Sequence, residues 1–459
     1  MSLPRLKKIL PILTILTLAG FGCSGLSATQ KAAVQPITLN YWTIANDVGQ
    51  LNKFASAYHK LRPYVTINVR QVRYSEFDSL LVNSLADDVP PNIVSVHARW
   101  MRKYQNRLTP MPASVKVATI TVSGSYSPET TITVDQVTMP TLSGVKANFV
   151  GTVVNDAVMD GTLYGLPLAL DTLAIYYNKD LLDKAGIPLP PKNWNEFLDA
   201  VKKSTKFSKE GDIIQSGVAL GTGKNIDHVF DIMSLFMMQN GVTIARGNAV
   251  VFAPPADTSE VAGLSIIQAL RFYTDFADST KEVYTWNDGL GSSFDAFTRG
   301  KSVFYIGFAS DLPRIQGAAP QMNLDVIPMP QLRGETPTNI TSYWIESVIK
   351  KSKHQDEAWD FIRFMATSEN LKQYSTATHQ PSPLRTHIVT QMNDPLLAPF
   401  AGQILQAANW YHGRNVDVAS QAFVDMIDAY RKPYLDAEEP NNRDLRILRQ
   451  TAAVVQQTM

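Results

Sequence analysis

Groups able to make or break covalent bonds are sparse in this chain and badly spaced for doing so. Its seven histidines are scattered without the spacing of metal ligands, and no H-E-x-x-H helix occurs. There is no G-x-S-x-G elbow, no Walker loop and no G-x-G-x-x-G following a strand. The nearest phosphate-loop fragment, ALGTGKN at 219–225, lacks the leading glycine and the hydroxyl residue after lysine that phosphate and magnesium require. Glu76 and Asp78 form a carboxylate pair, but they fall in the opening turns of a predicted helix, where carboxylates complement the dipole. The chemistry left is non-covalent, and no metal or cofactor is expected. Among the rings, Trp42 and Trp344 end strand-like runs, and Trp286 lies in the turn-rich YTWNDGLGS, which predicts exposure and a role in binding. Trp194 and Trp359 fall on amphipathic patterns and are expected in the core.

The elements that must position such groups alternate. ITLNYW (37–42) reads as a buried strand, LNKFASAYHKLRPY (51–64) as a helix with Leu51, Phe54, Ala55, Tyr58 and Leu61 on one face, and VTINVRQV (65–72) as an alternating strand. A helix opens at Ser75, and PPNIVSV is a short strand ending at His97. This β-α-β-α-β order predicts a parallel or mixed sheet covered by helices, with ligands outside the carboxyl ends of its strands. Between 113 and 148 the texture changes to Thr, Val and Ser. TITV at 119–122 and TITV at 131–134 flank the turn-like SGSYSPE and predict an inserted hairpin. Asn193, with Glu196 three residues on, predicts a helix start. Further helices are expected at 225–240, 259–278 and 354–375, and strands at 300–311 and 324–330.

Arg5, Lys7 and Lys8 precede an apolar run from Ile9 to Phe21, too short for a bilayer span and typical of an export signal. The only cysteine, Cys23, follows at once, and the stretch resembles the lipobox of bacterial lipoproteins, in which that sulfur is lipidated. Gly20 stands where that motif usually has leucine. Residues 1–22 are then a signal peptide and 23–36, small and polar, a flexible tether. Loss of the three leader cations takes Lys plus Arg from 42 to 39 against 41 acidic residues, a formal charge of −2, with no basic run suited to nucleic acid. A single cysteine allows no internal disulfide, so stability must come from cores.

Several blocks share one order: PPNIVSV, then DGTLYGLPLALDTLAIYYNKDLLDKAGIPLPPKNWNEF, AFTRGKSVFYIGF, VIPMP and SYWIESVIKKSKHQDEAWDFIRFM. On these the chain, over about residues 37–385, resembles the extracellular solute-binding proteins of ABC importers, in their maltose-binding-like branch. The resemblance implies an α/β fold of two lobes, each a mixed sheet flanked by helices, joined by a hinge near 170–172. Lobe 1 would take 37–171 and 298–338, and lobe 2 would take 172–297 and 339–459. Position by position it implies cleft-lining roles for Trp42, Thr43, His97, Arg99, Asp171, Trp286, Asp288, Phe308, Tyr343, Trp344 and Arg385. Phe308 replaces a tryptophan common in that family, which keeps stacking and loses an N–H donor. Rings of this kind stack on the C–H face of a pyranose while Asp, Asn and Arg bond its hydroxyls. The implied partners are a sugar or oligosaccharide, a permease, and the outer face of the cytoplasmic membrane through Cys23, for a monomeric protein that is not an enzyme. A peptide or phosphoester ligand, a glycan-acting surface enzyme and an adhesin built on the hairpin are the alternatives.

Overall fold

The computed structural model describes residues 27–124, 126, 129–255, 258, 263–332, 337–433 and 439–459. The expected signal peptide, Cys23 and the first residues of the expected tether lie outside that range. From Ser27 onward the tether is ordered: Ala28–Ala33 is a short helix closed by a capping box between Ser27 and Gln30.

Two five-stranded mixed sheets organise the chain. In the first, Ile37–Thr43 pairs in parallel with Val65–Gln71 on one side and Ile93–His97 on the other; Trp344–Val348 runs antiparallel to Ile93–His97 and carries Leu166–Pro167 at the edge. The second is built around Leu173–Asn178, flanked antiparallel by Ser302–Phe308 and Leu324–Pro328, with Ile213–Val218 and Lys206–Phe207 completing it beyond Ser302–Phe308. This corrects the expected division of the chain. Strands within 298–338 belong to the second sheet, and the strand after 339 returns to the first. Ser302–Phe308 is buried along its whole length, so its sequence is the same for either sheet. The partner is chosen by the long-range register Phe304↔Tyr177 to Phe308↔Leu173.

Helix Val48–Leu61 shows how the first sheet is covered. Asp47 Oδ1 accepts the Gln50 N–H at 2.7 Å to start it, and Pro63 stops it. Leu51, Phe54, Ala55 and Tyr58 are buried as their spacing predicts, while Leu61, at the end, is 45% exposed. The predicted helix 354–375 is two, Gln355–Met365 and Ser368–Thr378. Tyr176 and Tyr177, on opposite faces of their strand, are both buried, as are Trp194 and Trp359.

The inserted segment forms the hairpin Ser114–Ser123 and Glu129–Thr138, and the two TITV runs do pair, Thr121 opposite Thr131 and Ile120 opposite Ile132. Its β-branched residues suit a two-stranded ribbon. It docks on the first lobe away from the carboxyl ends of the strands: the Ala118 N–H donates to Tyr64 Oη at 3.0 Å, and Arg62 donates to Thr119 Oγ1 at 2.7 Å.

Two chain passages join the sheets, and a third joins helices packed on the two lobes. Residues 168–172 run beside 329–343, bridged antiparallel at Thr172 and Thr341, and the Ser342 N–H donates to the Asp171 carbonyl at 3.1 Å. The third, 392–397, leads to Phe400, whose carbonyl accepts from Thr172 Oγ1 at 3.1 Å.

Candidate functional site between the two lobes

Strand Ile93–His97 ends at the inner face of the first lobe and turns directly into a short 3-10 segment, Ala98–Trp100. His97 Nδ1 accepts the Arg99 N–H at 3.2 Å, which leaves the proton on Nε2, 3.0 Å from Ser342 Oγ. Burial, with the Arg99 charge adding to it, pulls the His97 pKa down to about 3, so this imidazole is neutral. Around it the wall is aromatic. Trp100 is buried, with Tyr74 at 4.8 Å, Phe77 stacked at 5.8 Å and Trp344 perpendicular at 5.7 Å.

The facing wall comes from two helix starts of the second lobe, Val229–Gln239 and Val416–Arg431. His228 precedes the first of these in a left-handed conformation, φ 58°, and its Nε2 lies 2.7 Å from Asp311 Oδ2. Burial alone would lower this imidazole, but the Asp311 carboxylate overrides it and raises the pKa to about 9. His228 is therefore charged and paired. Asp231, in the first turn of its helix, takes a short ion pair from Arg99 of the opposite wall, and the Arg99 guanidinium lies 5.2 Å over the Phe230 ring. Asp417, in the first turn of the other helix, accepts from Tyr74 Oη at 2.7 Å. Both carboxylates sit where the helix dipole favours them.

Between these walls is a cavity of about 340 Å³, lined by Tyr74, His97, Arg99 and Trp100 on one side. His228, Phe230, Asp231 and Asp417 are among the residues lining the other. Its volume is at the small end of ligand pockets, about 300–1,000 Å³.

Of the eleven residues expected to line the cleft, His97 and Arg99 line this cavity. Trp344 backs it through its ring contacts with His97 and Trp100. Phe308 lies one layer behind, its ring edge-on to His228 at 4.9 Å. Trp42 is buried beneath Arg70, 5.2 Å from its ring, and Thr43 is enclosed, its hydroxyl accepting the Asn46 N–H at 3.2 Å. The Tyr343 hydroxyl donates to Asp156 at 2.7 Å. Asp171 spends its carboxylate on the N–H groups of Ala309 and Ser310, at 2.7 and 2.8 Å, while burial pushes its pKa up to about 7. It fastens the turn after Ser302–Phe308 to the inter-lobe passage. Arg385 is exposed and donates to the Phe149 carbonyl at 2.8 Å.

Trp286 departs from expectation. It is 1% exposed, because Asn225 Oδ1 accepts its indole N–H at 3.1 Å and fixes the turn-rich segment against the second lobe. Asp288, two residues on, pairs with Arg431 at 2.8 Å. Sequence reasoning missed Tyr74, Trp100, His228, Phe230, Asp231 and Asp417. The legible signal was their place at helix starts or immediately after a strand end.

Among the described residues no group of three or more His, Cys, Asp or Glu side chains is placed to hold a metal ion, and no helix is long and apolar enough to cross a membrane.

Residues 83–395 match the family described as bacterial extracellular solute-binding protein. The chain belongs to that family. A binding protein of Brucella abortus is 30% identical over 235 residues, 48% of this chain and 50% of its own length. The galactooligosaccharide-binding protein of Bacillus subtilis is 24% identical over 250 residues, 53% and 54% of the two chains. The chain thus spans about half the length of the curated relatives it matches. In structure, this solute-binding protein superposes on the cyclic α-maltosyl-1,6-maltose binding protein of Arthrobacter globiformis with a TM-score of 0.69 at 17% identity, covering 92% and 100% of the two chains. A sugar-binding protein of Xanthomonas citri gives 0.68 at 16% identity, covering 92% and 98%. At such identities the likeness is one of fold, the two-lobed α/β architecture with helix-flanked mixed sheets.

Proposed function

We propose that this solute-binding protein captures a neutral sugar or short oligosaccharide between its lobes and delivers it to an ABC permease, tethered by a lipid on Cys23 to the outer face of the cytoplasmic membrane. The first lobe would comprise the sheet ending at His97 with the strand Trp344–Val348, and the second the sheet built on Leu173–Asn178. The observation that carries the reading is the state of the charges around the cavity. Arg99 is paired with Asp231 and His228 with Asp311, and Asp417 is bonded to Tyr74. The Arg99, Asp231 and His228 charges are thus paired and Asp417 is bonded only to a neutral hydroxyl, so among the described residues lining the cavity no cation is left open to an anionic solute, while Tyr74, Trp100 and Phe230 offer ring faces and edges to a pyranose. Relatives whose names specify a sugar, such as the galactooligosaccharide-binding protein, support the same class.

The test is a thermal-shift screen of the exported protein against neutral mono- and oligosaccharides, with uronic acids, phosphoesters and peptides on the same plate. A ligand at a hundred times its dissociation constant stabilises by about 2.7 kcal/mol. A shift with neutral sugars that Tyr74→Ala abolishes is expected; Tyr74 is 48% exposed, so its removal spares the core. A shift confined to charged solutes would overturn the sugar reading.

A further inference from the structure

The cleft is crossed by bonds that protein groups make with one another. Asp156, in the first lobe, is 2% exposed and holds two groups of the second: His412 Nε2 at 2.8 Å and Asn409 Nδ2 at 3.3 Å, both on Oδ1. Its other oxygen accepts the hydroxyl of Tyr343 at 2.7 Å, beside the inter-lobe passage. Asn409 passes the connection on, since its Oδ1 accepts from Arg99 Nε at 3.3 Å. Arg99 belongs to the first lobe and completes the chain by pairing with Asp231 of the second; the two side chains are 8% and 10% exposed. Near the rim, Tyr74 and Asp417 join the lobes once more at 2.7 Å.

We propose that these groups are a built-in clasp: a line of hydrogen bonds and one ion pair, Tyr343–Asp156–Asn409–Arg99–Asp231, flanked by His412 and Tyr74, that holds the lobes together without a solute. Arg99 is then a positioning residue. Its guanidinium bonds Asp231 and Asn409 and lies over the Phe230 ring, so its work is on the facing wall. A buried charge that loses its partner is strongly unfavourable, so separating the lobes at this point requires water to enter and resolvate both ions. The lobes consequently rest in a preformed cleft, and the fraction of molecules in that form multiplies the affinity for every solute by the same factor. The inference stands on the two-lobed fold and not on the identity of the solute, so the failure of the sugar reading would leave it intact.

The test measures the distance between lobes by double electron–electron resonance. Spin labels go on Val89→Cys and Leu189→Cys, both strongly exposed and one on each lobe, in a Cys23→Ser background that leaves no other thiol. Without added solute the parent should give one narrow distance distribution. The Arg99→Met/Asp231→Leu variant, which removes the pair and leaves no orphaned charge, should add a longer population, about a tenfold gain in the separated form. Tyr74→Phe/His412→Phe cuts two outer links and keeps the ion pair, and should give a smaller change in the same direction. A cooperative melt in each variant shows that it is folded. Distributions identical to the parent in both folded variants, or a parent already as broad as they are, would overturn the clasp.

Discussion

Two histidines face the same cavity from opposite walls and are driven in opposite directions. His97 is pulled down to about 3 and His228 raised to about 9. Both are enclosed, so desolvation acts on both against the charged form. The difference lies in the neighbours. His97 has a hydroxyl on one nitrogen, a backbone N–H on the other and the Arg99 charge close by, whereas His228 has the Asp311 carboxylate. The first-lobe wall is thus an aromatic surface around a neutral imidazole, its one charge, Arg99, paired across the cleft, and the second-lobe wall carries the paired Asp231 and His228 with the hydroxyl-bonded Asp417. On the proposed reading, a solute between them meets rings on one side and bonded polar groups on the other, an arrangement that would suit a molecule with C–H faces and a hydroxyl rim.

The contrast can be broken most sharply at Asp311. Asp311→Asn strands the His228 charge, and equilibrium urea unfolding at pH 6 should show a loss of about 3–5 kcal/mol. Because His228 is raised in the folded state, its contribution is complete below its unfolded pKa of 6.5 and is lost as pH rises through about 9. The parent should lose stability across that window and Asp311→Asn should not; an unchanged slope in the variant would refute the pairing. On the opposite wall the sign reverses. His97 is depressed when folded, so its share of stability is present above pH 6.5 and is lost as pH falls towards about 3. His97→Gln, which keeps an N–H for Ser342, should remove up to about 3 kcal/mol of acid lability at pH 4. Equal acid sensitivity of parent and variant would show that His97 takes up its proton normally. The smallest effect is expected at the rim, where Tyr74→Phe deletes one hydroxyl bond to Asp417 and should cost about 0.5–1 kcal/mol, read from the same urea curves.

The sequence carried the local structure well and the pairing of distant parts poorly. The strand end at His97, the first strand to within one residue of its end at Thr43, the Asn193 cap and the echoing TITV runs were legible because each depends on residues within a few positions. Sheet membership was not, since an all-apolar strand such as Ser302–Phe308 satisfies either sheet. His97 and Arg99 were reached through the family resemblance, which places them after the third strand. Asp231 and Asp417 were passed over because a carboxylate in a first helical turn already has a sufficient local reason to be there; their cross-cleft partners are 132 and 343 residues away. Trp286 misled for a related reason. Gly, Asn and Asp around an indole suggest a mobile loop, and only the distant Asn225 turns that loop into a wall of the core.

The Thr172–Thr341 bridge has a kinematic consequence. A body tied to another at one point can swivel in any direction, but one tied along a row of points retains chiefly rotation about that row. Here residues 168–172 lie against 329–343, Thr172 is bonded to Phe400 just past the third passage, and the Thr341 N–H reaches the Ala408 carbonyl at 3.2 Å. The three crossings thus form a seam rather than a joint. In the proposed capture cycle the lobes swing like a door on that seam, with essentially one degree of freedom. Solutes of different size would then differ in how far the door closes and not in the path it follows, and the permease would read a single angle.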